Sequence, residues 1–244
     1  MATRRASAKT RMPEILAALD EEYPGATIAL HYSTPLECLV ATILSAQSTD
    51  AKVNEVTARL FEKYRRPEDY LSVPEEELEQ DIHATGFFRQ KTKSLRGLAQ
   101  KLIDDFDGEV PKRVADLVTL PGVARKTANV VQSAVWPDEV AQDPGAGIAV
   151  DTHVGRLAVR LGLTEAGPKD ADKVERDLMR VTPKQQWPRV AFLLIEHGRR
   201  VCDARRPRCE DCAVEPLCPS SQEAGKTDLY RLAMDRKKAG KATG

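Results

Sequence analysis

Residues 110–135 read VPKRVADLVTLPGVARKTANVVQSAV, and the pair Pro121-Gly122 separates two segments with helical apolar spacing. A proline-glycine pair between such segments indicates a tight turn, so we expect a helix, a hairpin and a second helix. The backbone N–H groups at the beginning of the second helix point outward, where they can bind phosphate. Many helix pairs joined in this way only pack against each other, so the hairpin alone does not define a function.

One lysine stands out in the second predicted helix. Lys126 lies in its first turn, while the apolar face of the helix consists of Ala124, Ala128, Val131 and Val135. The positive end of the helix dipole disfavours a cation at this place, which makes the amine more available as a nucleophile. We therefore interpret Lys126 as a candidate catalytic residue.

A carboxylate begins the next amphipathic segment, IAVDTHVGRLAVRLGL, residues 148–163. Asp151 precedes Thr152 there, and its structural role is an N-cap. A carboxylate near a nucleophilic lysine could also handle the proton of that lysine. The two roles are compatible, and both stay open at this point.

The remainder of the chain also has helical periodicity. Its 244 residues are 41% hydrophobic and 30% charged, which suits a protein with one large or two small cores. We expect an all-α fold of roughly ten short helices, with 136–147 as a loop. The formal net charge is zero, so nucleic-acid binding must depend on a local basic patch. No apolar run is long enough to span a membrane and no secretory signal is visible, which predicts an intracellular protein.

Four of the five cysteines are clustered, with gaps of six, two and five residues; they are Cys202, Cys209, Cys212 and Cys218. Cys38 stands apart in an apolar helix and is expected to be core. An intracellular chain of this size does not need disulfides, so metal binding is the stronger interpretation. Zinc and a 4Fe-4S cluster both take four thiolates. Only one Cys-x-x-Cys pair occurs, and this favours the cluster without excluding zinc.

The first cysteine gap contains the basic sequence DARRPR, residues 203–208. A loop held at both ends by metal bonds would present Arg205, Arg206 and Arg208 as a rigid phosphate-binding group. The alternative is an ordinary solvated basic loop.

The sequence resembles the helix-hairpin-helix, Gly/Pro-Asp DNA glycosylases, and within them the endonuclease III branch. The resemblance covers nearly the whole chain. It is carried by LSAQSTD at 44–50, LPGVARKTANVV at 120–131, AVDTH at 149–153, HGRRVC at 197–202 and the cysteine spacing. Together these motifs are highly specific.

The resemblance implies a six-helix barrel domain over 30–140 and a helical iron-sulfur domain made from 1–29 and 141–222, with a DNA cleft between them. It also implies that the four clustered cysteines bind a 4Fe-4S cluster. Residues 223–244 are expected to form a flexible tail.

The family's chemistry implies that Lys126 attacks C1′ of the damaged nucleotide and that Asp151 assists deprotonation and stabilises the developing positive charge. The nucleotide must first leave the duplex. Gln47 matches the family's plugging residue, and Phe87 in TGFFRQK matches the residue that wedges between bases. Their structural alternatives are a polar helix end for Gln47 and ordinary core for Phe87.

The activity so implied is that of a bifunctional DNA glycosylase and AP lyase of base excision repair, which removes oxidised pyrimidines and cuts the strand by β-elimination. Its partner is double-stranded DNA with an oxidised pyrimidine or an abasic site, contacted by Gly122 and Ala124 of the hairpin. We expect a monomer in the bacterial cytoplasm, associated with the nucleoid.

Three positions depart from the family's pattern. Ala124 stands where the family usually has glycine, and a positive φ there would cost about 1 kcal/mol or more. The 136–147 segment is longer than usual, and Cys38 replaces an aliphatic residue. The alternatives are an adenine-mismatch glycosylase, a branch that lacks the lysine matched by Lys126, and a non-catalytic iron-sulfur DNA-binding protein.

Overall fold

The computed structural model of the protein describes residues 3–242, with side chains up to 236. This part of the chain is helical and contains no strand, which confirms the all-α prediction. The helices are α1 (Ala8–Glu22), α2 (Pro35–Leu44), α3 (Asp50–Lys63), α4 (Pro67–Ser72), α5 (Glu75–Ile82), α6 (Phe88–Phe106), α7 (Val114–Leu117), α8 (Arg125–Val135), α9 (Pro137–Val140), α10 (Thr152–Arg160), α11 (Ala171–Val181), α12 (Trp187–Arg200) and α13 (Leu229–Ala242). Short 3-10 turns lie at His83–Thr85, Lys184–Gln186, Cys209–Asp211 and Glu215–Leu217.

The chain divides into two compact units. The barrel unit is Ile28–Ala146 and contains α2 to α9. The second unit combines Met1–Thr27 with Gly147–Gly244 and carries the clustered cysteines, so we call it the cysteine unit. The resemblance implies a barrel over 30–140, and the first compact unit of the structure covers Ile28–Ala146.

Helix α2 forms the centre of the barrel unit. Its buried residues face in all directions, because the helix packs against α3, α6 and α8. Thr34 caps its first turn by accepting the N–H of Glu37, and Pro35 occupies the first helical position, where a missing N–H costs nothing. Cys38 is fully buried in this helix, where burial raises the pKa of its thiol to about 12.

The cysteine unit is built around α10, which packs against α11, α12 and α13. Gly198 of α12 permits the close approach, because a Cβ there would lie 2.9 Å from Nη2 of Arg156. Helix α1 completes the unit by packing against α11 and α12.

Two expectations about loops need correction. Within 136–147 the structure has the short helix α9, followed by turns around the buried carboxylate of Asp143. The predicted tail at 223–244 begins with an anchored segment, because the buried Asp228 pairs with Arg160 at 2.9 Å. Helix α13 then packs against α10; residues 243 and 244 lie outside the described part of the chain.

The structure contains no helix, within residues 3–242, that combines the length and apolar character needed to cross a membrane.

Candidate active site and cysteine cluster

The predicted hairpin is present between α7 and α8. Gly122 adopts a φ of 80°, a conformation that glycine accepts without strain, and the N–H of Val123 donates to the carbonyl of Leu120 at 3.1 Å. Ala124 is the N-cap of α8 with a φ of −85°, so the cost expected for a positive φ at this position does not arise. The alanine has no side-chain acceptor that could cap the helix. The first backbone N–H groups of α8 can therefore donate to other acceptors.

Lys126 lies in the first turn of α8, as the sequence predicts, and its side chain is exposed. The apolar face of the helix is narrower than expected. Ala128 and Val131 are buried, whereas Val135 is half-buried and Ala124 is exposed. An exposed amine beside an open helix N-terminus is available both to an electrophilic carbon and to neighbouring phosphate groups.

The long segment after α8 is attached to both helices of the hairpin. The Asp143 carboxylate accepts the N–H of Val114 at 2.8 Å and the amide of Gln132 at 2.7 Å. The carbonyl of Gly145 accepts Nη1 of Arg125 at 3.1 Å. Burial opposes the charge of Asp143, yet these donors hold the pKa of its carboxyl below the usual value. No motif or periodicity in the sequence predicts this role of Asp143.

Gln47 and Phe87 share an unusual backbone. Their φ angles are 54° and 50°, in the left-handed region that costs a residue with a side chain about 1–2 kcal/mol. Both are exposed, and Phe87 is 63% exposed, so it is not core. The neighbouring Phe88 packs instead on the ring of His83, with 4.4 Å between the ring centroids. Of the two phenylalanines, Phe87 is the one that projects.

Asp151 is the N-cap of α10, where its Oδ1 accepts the N–H of Val154 at 2.8 Å. The capping role is therefore present, and the carboxylate is half-buried. Further along the same helix, Arg156 and Arg160 donate to the carbonyl of Cys202 at 3.2 and 3.4 Å. Helix α10 thus carries both the cap Asp151 and the two arginines that hydrogen-bond the backbone of Cys202. Lys126 and Asp151 belong to different units.

The four clustered cysteines line one cavity, partly open to solvent, together with apolar residues such as Leu157 and Val214. None of the four is in a disulfide. Burial raises the pKa of Cys212 and of Cys218 to about 12 and also raises that of Cys202, although Arg160 opposes this. The thiolate form therefore needs a positive partner inside the cavity.

Arg160 and His197 line this cavity, and the sequence analysis did not single them out. Nη1 of Arg160 lies 3.4 Å from Sγ of Cys202, and Nε2 of His197 lies 3.4 Å from Sγ of Cys212. His197 also contacts the hydroxyl of Tyr23 at 3.0 Å, and burial lowers the pKa of His197 to about 4. Arg11 donates to the carbonyls of Leu161, Leu217 and Gly162 at 2.6, 3.0 and 3.1 Å.

The basic loop at 203–208 has a fixed backbone. Oδ1 of Asp203 accepts the N–H groups of Arg205 and Arg206 at 2.8 and 3.1 Å. Arg208 differs from these two, because its guanidinium donates to the carbonyl of Arg200 and lies 3.7 Å from the carboxylate of Asp211. All three arginines are exposed.

Comparison of the sequence and the structure with known proteins shows which family the chain belongs to. The family model of the HhH-GPD superfamily base excision DNA repair proteins matches residues 40–184. Endonuclease III of Synechocystis sp. is 50% identical over 89% of this chain and 95% of the relative, and endonuclease III of Bacillus subtilis is 46% identical over 88% and 95%. The chain belongs to the endonuclease III branch of this superfamily. A solved structure of a trapped endonuclease III–DNA covalent intermediate, an estranged-adenine complex, matches with a TM-score of 0.79 and 42% identity, covering 91% of this chain and 100% of that one.

Membership in the endonuclease III branch confirms the resemblance inferred from the hairpin, AVDTH and cysteine motifs. The matched region includes the hairpin with Lys126 and the cap Asp151. The basic loop and the clustered cysteines lie beyond it.

Proposed function

We propose that the protein is a bifunctional DNA glycosylase and AP lyase of base excision repair that removes oxidised pyrimidines from duplex DNA. The observation that carries the proposal is the exposed amine of Lys126 in the first turn of the second hairpin helix. Endonuclease III relatives at 38–50% identity support the activity. Such a substrate would place the protein at the bacterial nucleoid.

The covalent chemistry follows from the amine. In its neutral form, Nζ of Lys126 attacks C1′ of the damaged nucleotide, the bond from C1′ to the base breaks, and the base leaves with a proton. Opening of the sugar ring then gives a Schiff base between Nζ and C1′. This iminium acidifies C2′, so removal of a C2′ proton expels the 3′ phosphate and cuts the strand on the 3′ side of the lesion. We assign to Asp151 the stabilisation of positive charge that develops at the sugar and the transfer of protons.

Extrusion of the nucleotide is assigned to the barrel unit. Phe87 projects from the protein and is proposed to wedge between bases, and Gln47 to fill the space that the nucleotide leaves. Gly122 and Ala124 present backbone N–H groups to phosphate at the hairpin. Arg205, Arg206 and Arg208 add phosphate contacts from the basic loop, which explains how a chain without net charge can bind DNA.

We further infer that Cys202, Cys209, Cys212 and Cys218 hold a 4Fe-4S cluster. Four sulfur donors around one cavity suit it chemically. Zinc ribbons favour two Cys-x-x-Cys pairs, whereas this segment contains only one, and this favours the cluster over zinc. When bound, the cluster would cross-link the cysteine segment. The guanidinium of Arg160 would then offset the negative charge on the sulfur of Cys202, and His197 would hydrogen-bond the sulfur of Cys212.

Trapping of the Schiff base tests the catalytic proposal. Borohydride added during turnover of a thymine-glycol duplex should reduce the iminium and leave the protein covalently joined to DNA. Lys126→Gln should abolish trapping and strand cutting while DNA binding persists, because one exposed amine contributes little to a multi-phosphate interface. Persistent trapping in Lys126→Gln would place the nucleophile elsewhere.

A further inference from the structure

Lys91 is a buried lysine on the first turn of α6, and the proposed chemistry does not use it. Its Nζ donates to the carbonyl of Leu44 at 2.8 Å and to the carbonyl of Thr85 at 2.8 Å. Among the described residues, no carboxylate forms an ion pair with it, and burial lowers the pKa of its amine. Burying the charged amine of a lysine costs free energy. The presence of Lys91 at this buried position therefore calls for an explanation.

The two carbonyls lie beside two segments assigned to the DNA. Leu44 is the last residue of α2, where a helix leaves carbonyl groups without partners, and Gln47 follows closely. Thr85 ends the 3-10 turn that leads through Gly86 to Phe87. One ammonium group therefore connects the turn that carries Gln47 to the turn that carries Phe87, and its bond to Leu44 spans 47 residues of sequence.

Both turns contain a strained residue. The φ angles of 54° at Gln47 and 50° at Phe87 are rarely adopted by residues with side chains and persist only where neighbouring structure fixes them. The side chains of both residues are exposed. The bonds from Lys91 act on the backbone three residues before Gln47 and two residues before Phe87.

The same helix also supports the hairpin. A Cβ at Gly122 would lie 2.8 Å from Cβ of Ser94, and a Cβ at Gly97 would lie 3.2 Å from the Pro121 ring. Ser94 and Gly97 follow Lys91 by one and two turns on α6. The beginning of α6 is therefore in contact with three segments of the barrel unit that we assign to DNA.

We propose that Lys91 is a positioning residue for nucleotide extrusion, which holds the Gln47 turn and the Phe87 turn in one fixed arrangement for insertion into the duplex. This inference rests on the proposed function. It predicts that Lys91 matters where a nucleotide must be forced out of a duplex and has little effect where the sugar is already accessible.

The test compares Lys91→Met with Lys101→Met, a control on the same helix that also removes one positive charge. The Lys101 ammonium pairs with Asp105 at the protein surface. Base release from a thymine-glycol duplex is measured in single turnover, and borohydride trapping is measured on a single-stranded oligonucleotide with an abasic site. We expect Lys91→Met to slow base release about tenfold or more and to leave single-strand trapping near the wild-type level. Lys101→Met should change neither.

A fluorescent base gives an independent readout. In a Lys126→Gln background, 2-aminopurine next to the lesion should brighten on binding as the neighbouring nucleotide unstacks, and Lys91→Met should reduce this increase. If Lys91→Met is insoluble, Lys91→Gln serves in both assays with the same expected direction.

The outcomes separate the two proposals. An equal loss in the duplex and single-strand assays, or no loss in either, would overturn the role of Lys91. Absence of trapping in the wild-type protein would instead overturn the proposed function.

Discussion

Ser94 occupies the space that a side chain on Gly122 would need, since a Cβ on that glycine would lie 2.8 Å from Cβ of Ser94. The contact joins α6 to the turn of the hairpin. The glycine also has a φ of 80°, so two independent constraints act on one residue.

Gly122→Ala should therefore lower the free energy of unfolding by about 2–5 kcal/mol, of which about 1–2 kcal/mol comes from the left-handed backbone and the rest from the clash with Ser94. Adding Ser94→Gly should relieve the steric part and leave the backbone part, as measured by urea unfolding. Gly25→Ala is the matched control, because a Cβ there meets nothing within 4 Å. A Gly122→Ala protein as stable as the wild type would contradict this account of the hairpin.

Asp143→Asn should loosen the segment after α8, because the amide cannot replace a carboxylate that accepts three donors. The folded pKa of Asp143 is below the unfolded one, so its stabilisation is present above the unfolded pKa and is lost as pH falls through the folded pKa. At neutral pH we expect a loss of about 1–3 kcal/mol relative to the wild type. The difference should narrow below about pH 4.

Urea unfolding between pH 7 and pH 3 measures this difference. Asp138→Asn, an exposed carboxylate in the same segment, should behave like the wild type at every pH. A gap between Asp143→Asn and wild type that stays constant across this range would argue against an ionised Asp143.

The sequence predicted what local patterns encode. The hairpin, Lys126 in the first turn of its second helix and the cap at Asp151 follow from short-range spacing, and the structure has all three. Residues that act over long distances escaped prediction. Asp143 reaches Val114 across 29 residues and Lys91 reaches Leu44 across 47, and neither contact leaves a periodic mark in the chain. The family's usual glycine suggested strain at Ala124, but the actual backbone angle removes it.

Cys202→Ser and Cys212→Ser should each lose the yellow-brown colour of the wild-type protein, together with iron and acid-labile sulfide. They should also yield poorly folded protein, because binding of the iron-sulfur cluster is coupled to local folding. Cys38→Ser is the control, since its buried thiol lies in α2, in the other unit. A colourless wild-type protein that contains zinc and no sulfide would contradict the cluster.

Replacing Arg205 and Arg206 together with Ala should weaken binding to all duplexes similarly. The plot of log K against log salt has a negative slope, and this slope should become less steep by about 0.9 for each lost phosphate contact. Arg208→Ala should have a smaller effect, because Arg208 is already engaged by Arg200 and Asp211. Binding isotherms at several salt concentrations measure the slopes. An unchanged slope in the double variant would show that Arg205 and Arg206 make no phosphate contacts.

Asp151→Asn separates the cap from the catalytic charge. The asparagine retains an oxygen that can accept the N–H of Val154, so the variant should fold with near wild-type stability. Base release in single turnover should nevertheless slow by something like a hundredfold or more, if the carboxylate stabilises positive charge at the sugar. Asp170→Asn is the matched control, because Asp170 caps α11 through the N–H of Lys173 and should tolerate the same change with full activity. Equal rates for Asp151→Asn and wild type would reduce Asp151 to a cap, whereas equal losses in both variants would show that capping, and not charge, controls the reaction.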